Sequence, residues 1–418
     1  MLHKRTLPNG VRLVSERIPG VRSVALGLWL EVGSRQESPR QGGLAHLIEH
    51  MFFKGTERRD VLEIATEINN LGGHANAFTS QENICLHIKV VDNQLERALD
   101  LLADLLCHSR FADAELDRER NVIAEEIRMY EDTPDEQVID NFTGALWHGS
   151  PLGQPILGPP RNIQRFRARD IREFCAQHFS PQRLVVAVAG NFDRRRLNRL
   201  VDKHFAEFAF ARGRRRTQKP VASFRRKEVS RELEQAHICL GAESPSRKAA
   251  DRYAYGLMNL MLGGGMNSRI FQEVREKRGL AYAIGSMHRP YMDTGYFAIS
   301  GGTHPSRLTE MVEICLREVR RIYEDKVGDD ELQSAKEHFR GSILLGLEST
   351  SARMSLLADQ EMTSGKFTPI DEVLRRIDAV SVRDVQRVAR KYLRGQPVAI
   401  AVIGPERLKL AGKTSLRF

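Results

Sequence analysis

Between Asp113 and Glu131 the apolar side chains Leu116, Ile123, Ile127 and Tyr130 recur at helical spacing. This predicts a helix with one buried stripe and with Asp113 as its N-cap. Glu119 and Glu126 are seven residues apart, so at about 100° per residue they project within about 20° of each other, on the shoulder of that stripe. Glu125 points away, among Arg118, Asn121 and Arg128. A carboxylate turned toward a core needs a cation or hydrogen-bond donors, because burying an unpaired charge is costly. Arginines of this Arg-rich chain would meet that need, and so would a metal ion.

A second pattern occurs twice. Residues 169–190 align without gaps onto 383–404, and each copy reads as an amphipathic helix, a short turn and an apolar strand that ends at glycine. The offset is about half the chain, so duplication of one α+β unit is the simplest account. With 418 residues the chain is too long for one ordinary core. The expected organisation is a first domain over 1–211, a basic linker over 212–227 and a second domain of similar fold over 228–418. Apolar periodicity lapses in that linker, around Arg212–Pro220.

The chemistry-bearing segment is His46-Leu47-Ile48-Glu49-His50. His46 and His50 are i,i+4 neighbours on one helix face, with Glu49 between them in projection. Hydrolytic zinc takes three protein ligands and leaves a position for water, whose proton a nearby carboxylate can take. The order H-x-x-E-H is the inverted form of H-E-x-x-H. Three fixed positions fit a metal site, and they also fit two histidines that share a face by chance. A third ligand decides between these readings, and Glu126 is the candidate, with Glu119 as the partner that orients the site.

With 41% hydrophobic and 28% charged residues, the composition is that of an ordinary globular protein. Five cysteines without C-x-x-C spacing fit free thiols in a reducing compartment. No segment approaches eighteen consecutive apolar residues and the first ten residues lack an apolar signal core, so a cytoplasmic protein without membrane insertion is expected. The net charge of +10 and the basic runs Arg212–Arg216 and Arg225–Lys227 raise the question of nucleic acid. Without interleaved aromatics or a recognition motif, nucleic-acid binding is not expected.

The run Gly42–Thr56, followed by Glu126, resembles the pitrilysin superfamily of zinc peptidases. It is most similar to the two-domain branch containing the β subunit of mitochondrial processing peptidase and its bacterial relatives. The resemblance implies an endopeptidase with one zinc ion per chain, held by His46, His50 and Glu126, with Glu49 as general base and Glu119 as the family's paired glutamate. Gly72–Ser80 resembles the edge strand that pairs with an extended peptide substrate, which implies contacts from Asn76, Ala77, Phe78 and Thr79. Phe53 would line the pocket beyond the cut; read without the family it is a core phenylalanine. Glu136 and Asp140 match positions that hold a substrate arginine. Bare, they are two carboxylates on a solvated helix face.

The segments Gly263–Arg269 and Arg275–Tyr282 extend the resemblance. They imply that Arg275 and Tyr282 bind the substrate carbonyl and stabilise the oxyanion. The triple glycine by itself reads as a helix C-cap and turn, and its shortness sets the chain apart from the α subunit of the processing peptidase. Tyr253–Leu262, the second-half counterpart of the zinc helix, has neither His nor Glu, so only the first half can bind the ion. The family fold implies an antiparallel sheet covered by helices in each half, and a homodimer. Some relatives have lost catalysis and act as scaffolds or substrate-holding subunits; such chains usually lack a zinc residue, and this one retains them all.

Overall fold

The computed structural model describes residues 2–209, 217–405 and 416–418. Arg212–Arg216, the core of the expected linker, lies outside them. Two sheets carry the fold. The first contains β1 (Leu2–Thr6), β2 (Arg12–Arg17), β3 (Ser23–Leu30), β4 (His74–Thr79), β5 (Ile84–Val91) and β6 (Leu184–Gly190), in the order β1-β2-β6-β3-β5-β4. The second contains β7 (Arg226–Ser230), β8 (Ala236–Glu243), β9 (Ile284–Pro290), β10 (Gly295–Thr303) and β11 (Ala399–Gly404), in the order β7-β11-β8-β10-β9. The pairs β2–β6 and β7–β11 are parallel and the other pairs antiparallel. The fold is therefore α+β with two mainly antiparallel sheets, as expected. β7 begins inside the stretch expected to be linker, and its Arg226 and Lys227 pair with Ile400 and Ala401 of β11.

The internal repeat is present as structure. Helix Ala168–His178 followed by β6 corresponds to helix Val382–Tyr392 followed by β11. Both strands are apolar throughout because both of their faces are covered. Leu184, Val186 and Val188 enter the large core of the first sheet, while Val185, Ala187 and Ala189 face a separate cluster with Met354, Leu357 and Met362. In β11, Ile400 and Val402 face one core, and Ala399, Ala401 and Ile403 face Val138, Phe142 and Trp147.

These second faces reveal an exchange. The chain forms two compact units: Met1–Arg128, Gln154–Gln218 and Leu344–Phe367 in unit 1; Met129–Gly153, Lys219–Ile343 and Thr368–Phe418 in unit 2. Helix Thr350–Ser364 from the second half of the sequence thus packs on the first sheet, and helix Pro134–Leu146 from the first half packs on the second. A division at 211/228 describes the sequence; the packing units trade one helix each. The reason is apolar area: Val138, Phe142 and Leu146 recur every fourth residue and bury on the β8/β11 face.

Candidate metal centre

Helix Leu44–Phe52 carries the histidines. Its N-cap, Gly43, has φ +94°, and a Cβ there would lie 2.6 Å from Leu157 O, so the chain can enter the helix at this angle only as glycine. Leu44, Ala45, Leu47, Ile48, Met51 and Phe52 are buried and fix which face meets the core. That leaves His46 buried, and Glu49 and His50 half-buried, on the remaining side.

Helix Asp113–Glu131 brings the carboxylates. Leu116, Ile123 and Ile127 are buried as expected, whereas Tyr130 is half-buried and stands outside the core. Its hydroxyl donates to Glu136 O at 3.1 Å, a partner an apolar core would not supply. Asp113 is the first helical residue, and its carboxylate accepts from Ala168 N–H.

The two helices bring His46, His50 and Glu126 together, with one ligand atom from each lying within 4.8 Å of the others. Glu126 Oε1 is 3.6 Å from His46 Nε2, and Glu126 Oε2 is 3.5 Å from His50 Nε2. These gaps exceed an ordinary hydrogen bond. They are close to the roughly 3.3 Å that separates two atoms each about 2.0–2.1 Å from a tetrahedral zinc ion. Glu126 Oε2 is buried without a hydrogen-bond partner among the described residues. Two imidazole nitrogens and one carboxylate oxygen are the donor set of a hydrolytic zinc site, so the residues fit the ion.

Glu119 is 3% exposed; its Oε2 lies 3.0 Å from His50 Nδ1 and its Oε1 2.6 Å from Lys54 Nζ. A carboxylate on Nδ1 fixes the ring's tautomer and turns Nε2 toward the ion. Burial alone would raise the Glu119 carboxyl, but His50 and Lys54 outweigh it and hold the group below its usual range. Burial likewise works against the charged form of His50, yet Glu119 and Glu126 carry its pKa upward. His46 moves the other way, lowered first by burial and then by the His50 cation.

Glu49 is not among the three ligands. Thr79 Oγ1 donates to its Oε2 at 2.6 Å, and burial raises its pKa although that hydrogen bond opposes the rise. A carboxylate with a raised pKa beside a metal position is suited to proton transfer near neutral pH. Lys54, and Thr79 as a partner of Glu49, are contacts the sequence reading missed. Lys54 lay within the recognised run, but nothing in its spacing paired it with Glu119.

Thr79 ends β4, which is the edge strand of its sheet and pairs only with β5 among the described residues. Ala77 is buried, Asn76 and Phe78 are exposed, and Phe78 meets Trp29 edge-on at 5.3 Å. Phe53 is half-buried against the core of the same sheet.

Unit 2 holds the other predicted residues. Arg275 lies over the ring of Tyr282, 4.7 Å from its centroid, and Tyr282 is 81% exposed. The triple glycine ends its helix as read: Gly264 is the C-cap of helix Arg252–Gly263 and its N–H donates to Leu260 O at 3.1 Å, with φ −88° and so without a left-handed residue. Its glycines serve close approach, since a Cβ on Gly263 would lie 2.5 Å from Ser286 N and one on Gly264 2.7 Å from Leu260 Cα. Glu136 is exposed on helix Pro134–Leu146. Asp140 is raised by burial, with the Tyr130 hydroxyl and the Lys227 cation opposing.

Comparison with known proteins places these features in a family. The description "Insulinase (Peptidase family M16)" matches residues 12–160, and "Peptidase M16 inactive domain" matches residues 165–339. An uncharacterized zinc protease of Bacillus subtilis, YmxG, is 39% identical over 405 residues, covering 97% of this chain and 98% of that protein. The chain belongs to peptidase family M16. A second uncharacterized zinc protease, from Streptomyces coelicolor, is 39% identical over 99% of this chain and 91% of its own. Among solved structures, a protease from Helicobacter pylori superposes with a TM-score of 0.88 at 23% identity, covering 97% of this M16 chain and 99% of that one. An M16 inactive-domain protein from Pseudomonas fluorescens gives 0.91 at 20% identity, covering 98% and 99%. Both share the fold. Zinc as the family's metal and peptides as its substrates fit the donor set of unit 1. Among the described residues, no helix is long and apolar enough to cross a membrane.

Proposed function

We propose that this M16 chain is a zinc endopeptidase that cleaves extended peptides or presequence-like segments. The observation that carries the reading is the convergence of His46, His50 and Glu126, with Glu49 close by and outside the ligand set. A bound zinc ion would supply Lewis acidity and lower the pKa of water toward neutrality. Glu49 takes the proton of the attacking water on its carboxylate and returns it to the leaving amine. Thr79 holds that carboxylate in place, and Glu119 orients His50. The free edge of β4 offers backbone N–H and C=O groups to a peptide strand, with Asn76, Ala77, Phe78 and Thr79 beside it. On family resemblance, Phe53 borders the substrate, Arg275 and Tyr282 contact its carbonyl, and the chain acts as a homodimer with one zinc ion per chain.

Purified protein should bind about one zinc per chain, and Glu49→Gln should keep the metal while turnover falls by roughly 10²–10⁴-fold. Retained turnover in that variant would refute the mechanism. A scaffold is the competing reading, favoured by the match of residues 165–339 to an inactive M16 domain; it predicts no cleavage of any peptide by zinc-loaded wild type. Glu136 and Asp140 give a preference for arginine just upstream of the cut. Asp140→Asn should weaken that preference in a peptide-pool profile; an unchanged profile removes this part of the reading.

A further inference from the structure

Unit 1 contains a buried carboxyl group that the mechanism above does not use. Glu37 is 1% exposed, and among the described residues its partners are backbone N–H groups alone. Its Oε2 accepts from Gly43 N–H at 3.1 Å and its Oε1 from Ala45 N–H at 2.6 Å, at the start of the nine-residue histidine helix. A helix start leaves backbone N–H groups unbonded, and a Ser, Thr, Asp or Asn at the N-cap usually satisfies them. Here the N-cap is Gly43, where a Cβ would also meet Ile163 Cδ1 at 2.7 Å. No side chain fits, so the cap comes from upstream.

The segment that carries Glu37 is itself fastened. Ser34 N–H donates to Ser80 O at 3.1 Å and Arg35 N–H to Gln81 O at 2.8 Å, and the Arg35 guanidinium bonds Glu82 Oε1 at 2.7 Å. Those acceptors directly follow β4. From the end of β4, Thr79 Oγ1 returns to the helix at Glu49 Oε2 and, at 3.4 Å, at Ala45 O. The contacts therefore close a ring on the two peptide groups of Ala45, next to His46. His50 has Glu119 to orient its ring, whereas His46 Nδ1 is buried without a hydrogen-bond partner among the described residues. His46 is placed by its backbone, and Glu37 holds that backbone.

We infer that Glu37 is a positioning residue, which fixes the first turn of the histidine helix and so sets His46 for the metal and Glu49 against Thr79. The inference rests on the zinc reading of the site. Its test uses the full chain as wild type, Glu37→Ala, Glu37→Gln and the core truncation Val201→Ala of the same unit, each kept at a temperature where circular dichroism shows it folded. Zinc affinity is read by competition with a fluorescent chelator, and kcat and KM are read on one peptide. Glu37→Ala should weaken zinc binding roughly 10- to 100-fold, as loss of a group that orients a ligand does. Glu37→Gln keeps one carbonyl acceptor for Ala45 N–H and should fall between; it carries the test if the alanine variant does not fold. Val201→Ala should bind zinc as wild type does. Wild-type zinc affinity in both Glu37 variants overturns the inference, and so does an equal loss in Val201→Ala, which would make the effect one of stability. If wild type takes up no zinc, it is the zinc reading that fails.

Discussion

Glu119 and Glu126 stand two turns apart on one helix and do different work, because one faces a lysine and a ring nitrogen while the other faces two ring nitrogens with an ion-sized gap. Glu119→Gln can keep only part of that arrangement: an amide has no charge for Lys54 and one acceptor in place of two. Zinc affinity should fall by roughly 10- to 100-fold, with Glu49 still able to move protons. Isothermal titration of the metal-free protein measures this. Glu37 gives a prediction in pH. Burial pushes its carboxyl up to about 8, against the N–H groups of Ala45, Gly43 and Leu44. In the unfolded chain the ordinary value is 4.5, so this group's contribution to stability is present below that pH and is lost as pH rises through about 8. Across that window the Tm of wild type should fall relative to Glu37→Gln; a constant difference would put the folded carboxyl back at its ordinary value. Spacing made the pairing of His46 with His50 legible in the sequence, since helical projection is local, and it set Glu119 and Glu126 on one shoulder without choosing between them. Glu49–Thr79 and Glu37–Ala45 were not legible, because each joins separate elements through a loop whose path no periodicity encodes.

At the scale of elements, the apolar strands β6 and β11 announced two covered faces without saying what covers them. The exchanged helices answer that, and two glycines show how close they come. A Cβ on Gly27 in β3 would lie 2.6 Å from both Met354 Sδ and Trp29 Nε1, and one on Gly241 in β8 would lie 2.9 Å from Phe142 Cζ and 2.0 Å from Phe297 O. Methionine can move its end, but a strand carbonyl cannot. Gly27→Ala, which also meets the Trp29 ring, should therefore cost about 2 kcal/mol and Gly241→Ala about 3 kcal/mol or more, measured by urea unfolding. Met354→Ala should reduce the cost of Gly27→Ala in a double-mutant cycle. The repeat itself was readable because its helix and strand are adjacent in sequence. The partner of each second face was not, since Phe142 and Met354 show the same amphipathic spacing whichever sheet they bury against.

For the whole molecule, duplication suggests two separable halves, yet each sheet borrows a helix from the other half of the sequence. A fragment ending at residue 211 would leave Trp29, Val185 and Ala187 bare and would carry Phe142 and Trp147 with nothing to bury them. It should show no cooperative thermal transition and should bind a hydrophobic dye, whereas the full chain should unfold cooperatively. Cooperative melting of that fragment would mean the borrowed helix is dispensable. The same loan sets a timetable for biosynthesis. Strand Leu184–Gly190 leaves the ribosome long before Ser364 does, and at about 5–20 residues per second its alanine-lined side waits roughly ten to thirty seconds for cover. During that interval the nascent polypeptide is a client for holding chaperones, and slow codons placed ahead of Thr350 would lengthen the exposure.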